Sequence, residues 1–303
     1  MSDTRIQVAI KLDNLTKTYG SSRGIEHINL TVQKGEVFGF LGPNGAGKST
    51  AINTMLDFLR PTSGSVTILG KDANSDSTDI HRNIGYLSGD METDLSLTGA
   101  QYLTYVANLR DIKDDSYKNE LIERLKCETN KKIKKLSRGN RQKIGLVAAL
   151  MHDPDVLILD EPTTGLDPLI QSEFNAIIKE HKERGKTTFM SSHVLSEVQA
   201  TCDRVGFIRD GRLVEVKALH ELLLGAPRMV EVTFKKDAPD TRLKKLTGVS
   251  DLTANGSRRS FTYRGDYNEL LQILSTKPIT NIQIIEPALE DLFIGMYQGE
   301  HNV

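Results

Sequence analysis

Residues 42–50 read Gly-Pro-Asn-Gly-Ala-Gly-Lys-Ser-Thr, and this stretch decides the fold. It satisfies G-x-x-x-x-G-K-[ST], the spacing of a phosphate-binding loop. Its flanks agree. Residues 37–41 form an apolar run of buried-strand length, and residues 48–59 place Ile52, Met55, Leu56 and Leu59 on one helical face. A triphosphate needs many donors at close range. Gly42, Gly45 and Gly47 let the backbone approach without an intervening Cβ, with Pro43, Asn44 and Ala46 completing the loop. The helix start then directs free N–H groups and a positive dipole end at the anion. Lys48 is placed to bridge the β- and γ-phosphates, and the Ser49 hydroxyl, with Thr50 beside it, to hold Mg²⁺. The competing reading, a glycine-rich turn with an incidental lysine, fits the strand–loop–helix context poorly.

A second stretch, Val156-Leu157-Ile158-Leu159-Asp160-Glu161-Pro162, is an apolar strand ending in two carboxylates. Behind a phosphate loop, Asp160 belongs on Mg²⁺, directly or through water, and Glu161 is placed to polarise the attacking water. Strand alternation sends the two side chains to different sides.

A third stretch, Leu136-Ser137-Arg138-Gly139-Asn140, precedes Arg141-Gln142-Lys143 and an apolar helix over residues 144–150. It resembles the LSGGQ signature of the ATP-binding-cassette (ABC) ATPases, and the ordered set over about residues 5–220 is more specific than any one motif. By that resemblance Tyr19 is the adenine-stacking aromatic, Gly165-Leu166-Asp167 the D-loop, and Ser191-Ser192-His193 the segment of the switch histidine. The resemblance implies an ATPase that uses ATP and Mg²⁺, with Lys48, Glu161 and His193 as catalytic groups. It implies a homodimer closed head-to-tail over two ATP molecules, in which Ser137 and Gly139 of one subunit face the γ-phosphate held by the other. More narrowly the chain is similar to ATPase subunits of daunorubicin-type bacterial drug exporters, whose membrane-spanning permease is a separate polypeptide. That implies a cytoplasmic protein, peripheral on the inner face of the cell membrane.

Two positions depart from the family pattern. Arg138 and Asn140 stand where Gly and Gln are usual, and Arg138 either faces solvent or adds a cation near the γ-phosphate. Gly89 stands where a Gln contacting Mg²⁺ or water is expected, with Asp90 next. Asp90 either replaces that contact or caps the following helix.

Composition bounds the function classes. The chain has 303 residues and a formal net charge of −1, which gives no electrostatic case for nucleic acid. The basic run from Lys131 to Lys143 reads as a solvated face. No apolar run reaches the ~18–20 residues that span a bilayer, and residues 1–5 do not read as a signal peptide. Cys127 and Cys202 lie far from metal-ligand spacing and read as reduced thiols.

The expected fold is α/β: a P-loop NTPase of the ABC type over residues 1–226, with an antiparallel β layer, a parallel core sheet and a helical subdomain at about residues 90–145. In that subdomain Leu103, Val106, Leu109, Leu121, Ile122 and Leu125 recur at helical spacing. Character changes at Gly225-Ala226-Pro227. Residues 227–303 read β-α-β-β-α-β, a small α+β accessory domain of ferredoxin-like order, then a last helix carrying Leu289, Leu292 and Phe293. Two other functions stay in view: a soluble ABC ATPase acting on ribosomes or DNA, and a non-catalytic nucleotide sensor. Single-cassette length and the short interval from Lys48 to Leu136 speak against the first. The Asp160–Glu161 pair and His193 speak against the second.

Overall fold

A computed structural model describes residues 7–20, 22–89, 96–224, 227–236 and 238–285. Asp90 and the expected last helix lie outside the described residues. The chain divides into two units, Met1–Ala218 and Leu219–Val303, so the division falls earlier than the Gly-Ala-Pro stretch at residues 225–227.

The first unit opens with strands β1 (Val8–Tyr19), β2 (Ser22–Gln33) and β3 (Val37–Leu41), then helix α1 (Lys48–Met55). Next come β4 (Ser63–Ile68), β5 (Lys71–Asp72), α2 (Ser77–Asn83) and β6 (Ile84–Leu87). Helices α3 (Gly99–Leu109), α4 (Ser116–Arg124) and α5 (Arg138–Leu150) follow, then β7 (Val156–Asp160) and α6 (Pro168–Glu183). The unit closes with β8 (Thr187–Ser192), α7 (Leu195–Thr201), β9 (Arg204–Arg209) and β10 (Arg212–Ala218). Strands β2-β1-β4-β5 form an antiparallel sheet, and β10-β9-β3-β8-β7-β6 form the core sheet, parallel except for its β10 edge.

The core sheet explains where the site lies. All five residues of β3 and of β7 are buried, as expected for central parallel strands covered on both faces. Phe189 of β8 sits 5.8 Å from Phe38 and 5.4 Å from Phe40 between ring centroids, tying β8 to β3. Helix α7 packs so closely that a Cβ on Gly39 would lie 2.7 Å from Val198 Cγ1. Strands β3, β8 and β7 are adjacent and parallel, with Leu41 opposite Ser192 and Asp160 opposite Ser191. Their carboxyl ends therefore open on one edge, where ligands of parallel α/β sheets bind.

One helical expectation needs correction. Helix α1 stops at Met55 rather than running to residue 59: Asp57 adopts a left-handed φ of 60°, and the N–H groups of Phe58 and Leu59 turn back to the Asn53 carbonyl. Leu103, Val106 and Leu109 all lie in α3, as their spacing predicts, with Leu103 and Ala107 buried and Leu109 69% exposed. Leu109 sits on the last turn, outside the arc that packs inward.

The second unit has α8 (Leu219–Leu224), β11 (Arg228–Phe234), α9 (Asp240–Leu243), β12 (Val249–Asn255), β13 (Arg258–Tyr263), α10 (Tyr267–Leu274) and β14 (Ile279–Ile285). Its sheet order is β12-β13-β11-β14, all antiparallel, the split β-α-β arrangement of ferredoxin-like modules. The Asp266 carboxylate caps α10 by accepting the Asn268 N–H at 2.8 Å. Val230, Val232, Phe234, Phe261, Tyr263, Leu270 and Leu274 form its own core.

Candidate nucleotide site

The phosphate loop joins β3 to α1. Gly42 donates to the Ser192 carbonyl at 3.2 Å, and a Cβ there would lie 2.3 Å from the Ile208 carbonyl oxygen. Gly47, the residue before α1, has φ 105°. Pro43, Asn44 and Gly45 are exposed, Ala46 is buried, Ser49 is exposed and Thr50 is half-buried. Lys48 is 5% exposed and folds back over the loop, donating to the carbonyls of Gly42 at 2.7 Å and Pro43 at 3.2 Å. Its Nζ is also 3.4 Å from Glu161 Oε1.

Asp160 ends β7 and is 6% exposed. Its Oδ1 accepts from Ser191 Oγ at 2.5 Å, and the same Oγ accepts the Glu161 N–H at 3.0 Å. Ser191 thus fixes both carboxylate-bearing residues at once. In the sequence Ser191 stands only as a neighbour of the switch histidine. The signal lay in the pairing of β8 with β7, which no linear motif records.

Glu161 diverges from Asp160 for a sharper reason than strand alternation. It lies past the end of β7 with φ 49°, a left-handed backbone that is costly for a residue with a Cβ. Its Oε1 meets His193 Nδ1 at 3.1 Å and Lys48 Nζ at 3.4 Å, and Thr164 Oγ1 donates to its Oε2 at 3.5 Å. Burial pushes the carboxyl pKa up, but the hydrogen bond and charge of His193, with Lys48, outweigh it and hold the group below the ordinary glutamate range. Lys48, Glu161 and His193, read from three separate stretches, come together here.

At the start of α5 the Ser137 side chain caps the helix, accepting the Asn140 N–H at 3.2 Å. Gly139 abuts the turn after Glu161 so closely that a Cβ would lie 2.3 Å from the Gly165 carbonyl oxygen. The Asn140 amide pairs with the backbone of Glu128 at both ends, 2.8 Å each. Gln142, to which the sequence motif assigns no role, donates to the carbonyls of Glu161 and Pro162, 3.1 Å each. Arg138 is exposed. Asp167 caps α6 through one oxygen, accepting from Leu169 and Ile170 at 3.1 Å. Tyr19, at the end of β1, is 43% exposed, with Lys17 Nζ 5.5 Å from its ring centroid. At Gly89 a Cβ would lie 3.5 Å from Asp160 Oδ2, so the position expected to carry Gln lies against the Asp160 carboxylate.

These residues fit a bound nucleoside triphosphate. The first-turn N–H groups of α1 lack intrahelical acceptors, and the direction a Cβ would take from Gly45 (φ 80°) is open for 4 Å. A carboxylate at Asp160 and a hydroxyl at Ser49 are the hard oxygen donors Mg²⁺ prefers, with phosphate oxygens completing its shell.

A parallel sheet with this loop, strand-end carboxylates and helix start defines a P-loop nucleoside triphosphatase. The family follows from comparison with known proteins. The ABC transporter model matches residues 25–164. The bacitracin transport ATP-binding protein BcrA of Bacillus licheniformis is 34% identical over 298 residues, 96% of this chain and 97% of that protein. BcrA of Enterococcus faecalis is 33% identical over 301 residues, 97% and 98% of the two chains. Among solved structures, the dimeric bacterial ABC transporter cassette MJ0796 superposes with a TM-score of 0.64 at 27% identity, covering 69% of this chain and 98% of that one. The chain belongs to the ABC transporter ATP-binding proteins. It binds and hydrolyses ATP as the energy-coupling subunit of a transporter whose spanning part is a membrane partner. Among the described residues no helix is long and apolar enough to cross a membrane.

Proposed function

We propose that this subunit powers export, and that the convergence of Lys48, Glu161 and His193 within 3.4 Å is its hydrolytic centre. Catalysis here is positioning and charge neutralisation rather than covalent chemistry. The loop amides and Lys48 hold the β- and γ-phosphates. Ser49 and Asp160 would hold Mg²⁺, which would supply further charge neutralisation to the phosphates. Glu161, kept ionised by its neighbours, polarises the attacking water, and His193 orients it. Tyr19 stacks on adenine. Asp167 lies at the facing edge, and Ser137 and Gly139 meet the γ-phosphate of a second copy, so two chains close over two ATP molecules and open after hydrolysis.

Export as the direction of transport is supported by the likeness to the linearmycin resistance ATP-binding protein LnrL of Bacillus subtilis, 29% identical over 303 residues, because moving a toxic compound out of the cell confers resistance to it. A membrane partner would dock at a cavity of about 260 Å³ flanked by α2, β6, α3 and α5, lined by Phe58, His81, Tyr86, Tyr102, Val106 and Arg110. Phe58 is 56% exposed there, an apolar surface suited to a short helix from the permease. This arrangement sets the chain on the inner face of the membrane.

The test is phosphate release by the purified chain with Mg-ATP, alone and with its permease in vesicles. Docking at this cavity predicts permease-stimulated turnover that is abolished by Phe58→Glu without loss of ATP affinity, and export predicts ATP-driven solute movement away from the membrane face that carries this subunit; movement toward that face would overturn it. ATP binding with no phosphate release under either condition would mark a nucleotide sensor instead.

A further inference from the structure

We infer that Gln142 is a positioning residue for Glu161, and that the donor end of its amide holds the strained turn carrying the water-polarising carboxylate. The inference rests on the reading of Glu161 given above.

Glu161 is a left-handed residue followed by Pro162, which has no N–H to give. The turn's own bond is long: Thr164 N–H reaches the Glu161 carbonyl at 3.3 Å. The additional donor comes from another element. Gln142, 4% exposed on α5, lies 3.1 Å from both the Glu161 and the Pro162 carbonyls. Both partners are acceptors, so the atom facing them is the amide nitrogen, with its two hydrogens.

A left-handed glutamate is strained and persists only where its surroundings hold it. Two hydrogen bonds to the Glu161 and Pro162 carbonyls add to the Ser191 hydroxyl, which accepts the Glu161 N–H at 3.0 Å, in supplying that restraint. They fix the direction of the Glu161 side chain, 3.1 Å from His193 and 3.4 Å from Lys48. The same helix begins at the Ser137 cap, so the signature segment and the glutamate's backbone move as one mechanical unit.

The experiment uses the full-length chain with Gln142→Met, which keeps the shape and removes the donor. Gln142→Leu, which also lacks a donor, is the second variant. Turnover is normalised to the fraction that binds ATP, so partial misfolding does not mimic the effect. We expect kcat to fall about 10- to 100-fold, the scale of a misplaced catalytic group, with ATP affinity unchanged. In a Glu161→Gln background, Gln142→Met should add no further loss. Normalised kcat equal to wild type in both variants would overturn the inference. So would a full Gln142→Met defect that persists in the Glu161→Gln background. Wild-type turnover by Glu161→Gln alone would instead sink the role of Glu161, a separately readable result.

Discussion

At the scale of single residues, the site is governed by where charge sits before ATP arrives. Lys48 is buried against two carbonyls and a carboxylate, so its ammonium is desolvated and already directed at the loop. Lys48→Ala removes a charge-assisted partner of the phosphates, each such bond worth about 1.5–3 kcal/mol. ATP affinity should fall about 10- to 100-fold by calorimetry, and unchanged affinity would remove Lys48 from the site. Glu161→Gln behaves differently. The amide preserves shape, so ATP binding should persist, while turnover drops on the order of 10²–10⁴-fold for loss of a general base. The variant should then accumulate as an ATP-bound dimer on a sizing column, and near-normal hydrolysis without that dimer would refute the role. The glycine spacing and the lysine of this site could be read directly from the sequence, because local chain chemistry dictates them. The roles of Ser191 and Gln142 could not, because their partners are backbone and carboxylate groups from other elements.

At the scale of elements, α5 shows why a departure from a family motif need not be a defect. Asn140 replaces the usual Gln of the signature, and both ends of its short amide engage the Glu128 backbone. It is nearly buried, at 9% exposure. Asn140→Gln, although it restores the family residue, inserts a methylene into that fit, a kind of overpacking that costs about 1–3 kcal/mol. The thermal midpoint should drop by several degrees, roughly 2–4 °C per kcal/mol for a chain of this class. A midpoint at or above wild type would show that the Glu128 contact contributes little. Helix ends were harder to read than helix faces. Apolar spacing carried α1 on to Leu59, but spacing cannot register that Asp57 turns left-handed. Likewise Leu109 keeps the period of α3 yet faces outward, because only tertiary packing sets how wide the buried arc is. Strand–helix alternation made a parallel sheet readable. The adjacency of β3, β8 and β7, which gathers the site, comes from long-range pairing.

At the scale of the whole molecule, the chemistry sits in one unit. Strand β10 completes the core sheet and ends at Ala218, paired with Arg204, and the second unit has its own apolar core. A chain ended at Ala218 should therefore fold and bind ATP with near-native affinity by calorimetry. A truncated chain that is helical by circular dichroism but binds no nucleotide would show that the two units are not separable.

Acid stability is a second property of the whole cassette. His181 is fully buried, its Nε2–H donating to the Pro154 carbonyl at 3.1 Å and its Nδ1 accepting from Thr188 at 3.3 Å. His152 donates to the Ile84 carbonyl at 3.1 Å. Burial pushes both imidazoles down to about 4, and for His152 the Arg110 guanidinium adds to the effect. In the unfolded chain each titrates near ~6.5. Between those values the unfolded chain takes up protons that the folded chain refuses. Stability is therefore fully present above about pH 6.5 and is lost as pH falls toward about 4, at roughly 1.4 kcal/mol per pH unit for each histidine. Glu36, whose carboxyl burial pushes up, opposes this slope at the acid end. Urea midpoints should fall steadily on acidification from about pH 7 to about pH 5, with net proton uptake on unfolding. His152→Gln should remove one histidine's share of the slope, and a midpoint that stays flat across that range would mean the two imidazoles are not held neutral by the fold.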